Sequence, residues 1–204
     1  MSDDDIDPPP PAKDHRVLAL VLAIVAIAGL GIGSFTRMWL ANQSDYESVG
    51  FGLRSNFDCE GLGETKHCVE MSNSALVDQL RDAGVSERER SAAFAPLGTV
   101  TLVLCVLAGL GLAGAIGLAL ARRQPLLPIS PSTIALLATF LALITGCVFV
   151  ATKPGPAGYV GVGMSFWIFG AGAVLAIASS QMLARVNRPS DPDLLHDAMN
   201  PDEF

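Results

Sequence analysis

The chain has 204 residues, half of them apolar and 16% charged, with a mean hydropathy of +0.45 and a formal net charge of −7. This is too apolar and too sparsely charged for an ordinary soluble domain. Its Lys and Arg residues are not clustered, which argues against nucleic acid as a partner, because phosphate binding needs grouped cations.

Residues 1–16 read as a disordered acidic tail, Asp3-Asp4-Asp5-Ile6-Asp7 followed by the proline run Pro8–Pro11. Four stretches then contain no Asp, Glu, Lys, Arg or His: Val17–Phe35, Leu97–Ala121, Ser132–Thr152 and Tyr159–Ala184. Each can cross a hydrocarbon core of roughly 30 Å at about 1.5 Å per helical residue. Inside lipid each backbone polar group must be satisfied within its own segment, so these runs read as membrane helices. The expected fold is an all-α membrane protein, a four-transmembrane-helix bundle over 17–185 with a small antiparallel extracytoplasmic sheet from loop 36–92. Residues 186–204 read as a second disordered tail. Lys13, Arg16 and Ala26-Ile27-Ala28 imitate a cleaved signal, but the apolar run continues to Phe35, so retention is the expectation.

Both termini are expected in the cytoplasm. Lys13, Arg16, Arg122, Arg123, Arg185 and Arg188 would lie inside, against Arg37, Arg81, Arg88, Arg90 and Lys153 near the membrane outside. The count is close, and the short Arg122-Arg123 connection together with the basic pairs beside both tails decides it. The membrane would be the plasma membrane, or the cytoplasmic membrane of a bacterium.

Within the loop, Val49, Phe51 and Leu53 alternate with Gly50 and Gly52, a strand signal, and Cys68–Met71 can return after a turn at Glu60–Gly63. Ala75–Asp82 reads as a helix that stops at Gly84. Ser86-Glu87-Arg88-Glu89 is a capping-box pattern, suggesting a helix that runs on into the second span with a bend at Pro96. Ser130-Pro131 fits an N-cap followed by proline at the first helical position. Asn42-Gln43-Ser44 has the form of a glycosylation sequon, and Asp202-Glu203-Phe204 resembles a C-terminal PDZ ligand.

Cys59 and Cys68 lie close together in this loop. A disulfide in an oxidising compartment, a zinc site with His67 and free thiols are the alternatives. The disulfide is favoured because adjacent ligands suit a closed tetrahedral site poorly. Small residues recur every four positions at Gly109, Ala113 and Gly117 and at Gly172, Ala176 and Ser180. Such spacing lets helices approach closely, and packing within the bundle is expected of both sets, with packing between copies, or no special role beyond the ordinary Gly and Ala content of membrane helices, as alternatives. The spans carry no ionisable mid-membrane residue and no CxxC motif, which disfavours ion-coupled transport and thiol redox chemistry. No catalytic, metal or cofactor residues are assigned, and no enzymatic role is expected.

Trp39, then Gly52-Leu53, then Cys59 and Cys68 between the first two spans resemble the W…GLW…C…C signature of the claudin-like tetraspan superfamily. That group includes claudins, peripheral myelin and epithelial membrane proteins, and channel gamma subunits. Arg90 sits where claudins carry a basic residue before the second span. The sequence departs from the pattern at Arg54, where the family has tryptophan, and in the four residues between Arg54 and Cys59. It therefore resembles a divergent member, and its abundance of Ala, Gly and Asp fits a GC-rich bacterium.

The resemblance implies a left-handed four-helix bundle carrying a small sheet, with Cys59 and Cys68 joining two strands. It also implies that Arg54 removes an aromatic anchor at the membrane interface. Trp39, Phe51, Gly52, Leu53, Arg54 and the bridge are expected to build the loop surface, with Asp58, Glu60 and Glu64 biasing it towards basic partners or cations. The expected function is non-enzymatic adhesion or scaffolding through that surface. Alternatives are an auxiliary subunit of a channel, transporter or membrane enzyme, and a polymerising paracellular-type barrier or pore. Membrane lipids and a protein partner, a second copy included, are the expected contacts.

Overall fold

The computed structural model describes residues 15–43, 47–61, 66–121, 129–154 and 160–186. Both tails, residues 62–65 of the hairpin turn, Ser44 of the sequon, the Arg122-Arg123 connection and residues 155–159 lie outside the described residues.

Four long helices form the body: α1 (Arg16–Phe35), α4 (Phe94–Ala121), α5 (Pro131–Ala151) and α6 (Met164–Val186). All four are long and apolar enough to cross a membrane, with mean hydropathies of 2.6, 2.4, 2.6 and 1.6 in their most apolar windows. Many inward positions are small and many outward ones large, although Leu30, Leu112, Phe149, Phe169 and Leu183 are also buried. Ala19, Ala23 and Ala26 of α1 and Ala173 and Ala176 of α6 are fully buried, whereas Leu110 is 65% and Trp167 67% exposed. A water-soluble bundle reverses this arrangement, and lipid permits it, because close backbone packing rather than apolar burial holds membrane helices together. The most extensive seams join α1 to α6 and α4 to α5, and the α1–α4 seam is slighter.

Between α1 and α4 run β1 (Leu40–Gln43), β2 (Glu47–Phe51), β3 (Ser55–Glu60), β4 (His67–Ser72), α2 (Asn73–Asp82) and α3 (Glu87–Arg90), and β5 (Gly161–Val162) precedes α6. They form one antiparallel sheet in the order β4-β3-β2-β1-β5. Local caps mark the boundaries. The Ser72 hydroxyl accepts from the Ala75 N–H at 3.1 Å to open α2, and Ser130 accepts from Thr133 at 3.2 Å to open α5 at Pro131. Gly84, at φ +72°, closes α2 with bonds from its own N–H to the Arg81 carbonyl and from the Val85 N–H to the Leu80 carbonyl.

Three expectations are corrected. The fourth span begins at Met164 rather than residue 159, because Gly161 and Val162 pair with Ala41 and Leu40 of β1. The helix at Ser86 stops at Arg90, where Ser91 turns left-handed at φ 46°, and α4 starts afresh at Phe94. Pro96 falls in the first turn of α4, where a missing N–H costs no helical bond. Instead of completing a capping box, the Ser86 hydroxyl donates to the Glu89 carboxylate at 2.9 Å.

The third correction concerns the small-residue stripe on α4. A Cβ on Gly109 or Gly117 would meet nothing within 4 Å, and Ala113 is exposed, so this stripe makes no close helix contact, and Gly109 and Ala113 border an open groove beside α1. Gly111, on the opposite face of the helix, is the close contact: its Cβ would lie 2.8 Å from the Ala135 nitrogen of α5. Gly172, Ala176 and Ser180 are all buried, with Gly172 against Gly29 of α1. Gly117→Leu is thus expected to leave thermal unfolding in detergent unchanged or slightly raised, leucine being the better helix former by about 0.8 kcal/mol. Gly111→Leu should lower stability by about 1–3 kcal/mol or more through overpacking. Equal stability of the two variants would contradict this orientation of α4.

Candidate interaction surface

The sheet is rooted in the bundle by aromatic residues. Trp39 is fully buried, and its Nε1–H donates to the Gly33 carbonyl at 2.6 Å, one of the carbonyls at the C-terminal end of α1. Phe169, Phe166 and Phe149 surround its ring at centroid distances of 4.8, 5.6 and 5.8 Å. Phe94 stacks on Phe149 at 4.4 Å and takes Phe51 of β2 edge-on at 5.8 Å. Such rings contribute large buried area together with specific pair geometry. The backbone on either side of Trp39 is also tied down. Its N–H donates to the Phe51 carbonyl, and its own carbonyl accepts from Gly163 ahead of α6.

The Gly52-Leu53-Arg54 turn between β2 and β3 has a reason for its glycine. A Cβ on Gly52 would sit 3.1 Å from the Thr36 carbonyl and 3.2 Å from that of Ser55, tighter than ordinary contacts. The Gly52 N–H donates to the Ser55 carbonyl, and the buried Asn73 side chain donates to the Gly52 carbonyl at 3.0 Å. Leu53 is buried, and its carbonyl presses on Gly98 of α4 so closely that no side chain fits there. Arg54 projects from this turn and is exposed.

Cys59 and Cys68 face each other across β3 and β4 and are joined as a disulfide. The zinc and free-thiol alternatives are thereby set aside for this pair. Beyond the bridge, β4 is the edge of the sheet, and five of its residues, including Val69 at 46%, are exposed. Arg37 holds Glu70 of this strand at 2.6 Å. Asp58 and Glu60 of β3 are exposed. On the α2 side of the sheet, a 400 Å³ pocket has Val49, Phe51, Met71 and Leu76 among its apolar walls, with Asn56 and Asp58 as polar groups.

Of the residues expected to build the surface, only Arg54 and Cys68 are exposed. Trp39, Phe51, Gly52, Leu53 and Cys59 are buried. They root the sheet rather than present it, since large apolar side chains beside a bundle end gain more by filling its mouth than by facing water. The ring cluster of Phe94, Phe149, Phe166 and Phe169 escaped the sequence reading, although aromatic residues near helix ends are a recognisable signal. Among the described residues no group of three His, Cys, Asp or Glu side chains is arranged to hold a metal ion. No protein-family profile matches the sequence, and no curated protein is significantly similar to it.

Proposed function

We propose that the chain is a non-enzymatic multi-pass membrane protein that presents its disulfide-stapled sheet, on the extracytoplasmic side, to a protein partner, in the manner of claudin-like adhesion and scaffold proteins. Four long apolar helices, with alanines buried between them and many large apolar residues exposed, support the membrane reading. The observation that carries the interaction reading is β4. It is an exposed edge strand held in a fixed place, bridged to β3 by Cys59–Cys68 and to the bundle side by Arg37–Glu70. A strand edge offers unpaired backbone groups as a template for another chain, and exposed Asp58 and Glu60 beside it favour a basic one.

The bridge is the place to test this. Closing a loop of about ten residues contributes somewhat under about 3 kcal/mol in the chain-entropy model. Cys59→Ser and Cys68→Ser should therefore loosen β4 while leaving the four helices inserted. A photo-crosslinking residue at Val69 should capture one stoichiometric partner in the native membrane, and the capture should disappear in either serine variant. Full alkylation of both thiols without reductant, or a Val69 crosslink that survives the serine variants, would overturn the reading.

A second reading, an auxiliary subunit that contacts a larger membrane protein through its helices, draws on the open Gly109–Ala113–Gly117 face of α4. Loss of the partner in Gly117→Leu, with the Val69 crosslink absent, would favour it.

A further inference from the structure

Two spaces adjoin along the slight seam between α1 and α4. At the sheet end lies a 630 Å³ cavity between the C-terminal end of α1, the Gly52–Ser55 turn and β4. Adjoining it, a 280 Å³ groove lies between the two helices with apolar walls that include Ile27, Leu30, Val106 and Leu110. Ser34 and Phe35 line both spaces. The groove exists because Gly31 of α1 and Gly109 of α4 face it with nothing within 4 Å of a Cβ on either.

The charges in the upper cavity are Arg37, Arg54 and Glu70. Arg37 and Glu70 neutralise each other. The hydroxyls of Ser34 and Thr36 are committed to the Leu30 and Ile32 carbonyls at 2.6 and 2.7 Å. Arg54 makes no ion pair among the described residues, so the cavity carries one uncompensated cation above an apolar slot.

We propose that this slot binds an anionic glycerophospholipid, its phosphate at Arg54 and one acyl chain in the groove between α1 and α4. The inference rests on the membrane reading above and gives Arg54 a task at the level where lipid headgroups lie. A soluble anion would satisfy Arg54 and leave the apolar groove empty. A lipid fills both spaces at once, and an arginine presents a planar donor fork suited to phosphate.

The test uses the full chain in detergent and native mass spectrometry, offering phosphatidylglycerol and phosphatidylcholine with identical chains. The wild type should retain phosphatidylglycerol over phosphatidylcholine by about fivefold, the effect of one basic side chain on an anionic headgroup. Arg54→Gln should bring that ratio to about one while still retaining lipid. Gly109→Leu, whose Cβ would meet nothing within 4 Å, places its side chain in the groove and should reduce retention of both lipids at unchanged thermal stability. Glycerol phosphate, which lacks a chain, should not compete. An unchanged ratio in Arg54→Gln, undiminished retention in Gly109→Leu, or competition by glycerol phosphate each overturns the proposal, as does loss of a co-purifying protein in Gly109→Leu with lipid unaffected. Release of the chain from membranes by alkaline carbonate would instead remove the membrane reading itself, so the two failures are separable.

Discussion

Trp39→Ala is expected to be the most damaging substitution outside the helices. Truncating a fully buried aromatic side chain costs about 3–5 kcal/mol, and here the vacated space is walled by Phe149, Phe166 and Phe169, which cannot collapse onto one another without moving α5 and α6. The Gly33 carbonyl also loses its indole donor and keeps only the longer 3.3 Å contact from Thr36. Trp39→Phe restores most of the ring volume but not that donor, so it should cost less, about 1–3 kcal/mol. Denaturant unfolding in detergent distinguishes the two. Equal stability of wild type and Trp39→Ala would mean that the sheet is not rooted through this residue.

Gly172→Leu should separate α1 from α6. A Cβ on Gly172 would lie 2.8 Å from backbone atoms of Gly29 and Leu30, and one on Gly29 would lie 2.9 Å from the Gly172 Cα. Backbone cannot yield as a flexible side chain does, so the helices must move apart along their most extensive seam. Overpacking of this kind costs about 1–3 kcal/mol and occasionally more, and the rigid contact places Gly172→Leu at the upper end. Cysteine pairs introduced across the seam near its sheet end should lose their crosslinking efficiency in this variant, and unfolding should shift to lower temperature. Undiminished crosslinking would place the two helices further apart than the glycine contact requires.

The contrast between Gly172 and Gly109 shows what spacing alone conveys. Both head a four-residue repeat of small residues, and only the first repeat is buried. On α4 the buried residues Ala108, Gly111, Leu112, Ala115 and Ala119 form another mostly small face, so the helix is small-sided in two directions and its periodicity cannot say which side meets α5. The helices themselves were legible because uncharged length suffices to identify them. β2 and most of β4 were legible from alternation and turn residues.

β3, Ser-Asn-Phe-Asp-Cys-Glu, has only Phe57 and Cys59 as apolar residues, too short an alternation to mark a strand alone, and is held by strands on both sides. β5 is two residues long and exists through its pairing with β1. The motif residues Trp39, Gly52 and Leu53 were recognisable as a set, yet their burial depends on Phe94 and Phe149, which lie on helices distant in sequence.

The bonds that run from Met38 and Trp39 to Gly163 and Ser165 have a mechanical meaning. They clamp the end of α1 to the start of α6 through backbone groups, where lipid-facing helices otherwise rely on side-chain contact. Together with Phe51 on Phe94 and the Leu53 carbonyl on Gly98, they fasten the strands to both helix pairs rather than leaving them on a tether. Because the strands are fastened on both sides of the slight seam between α1 and α4, that seam cannot widen at its sheet end without a matching adjustment of the sheet.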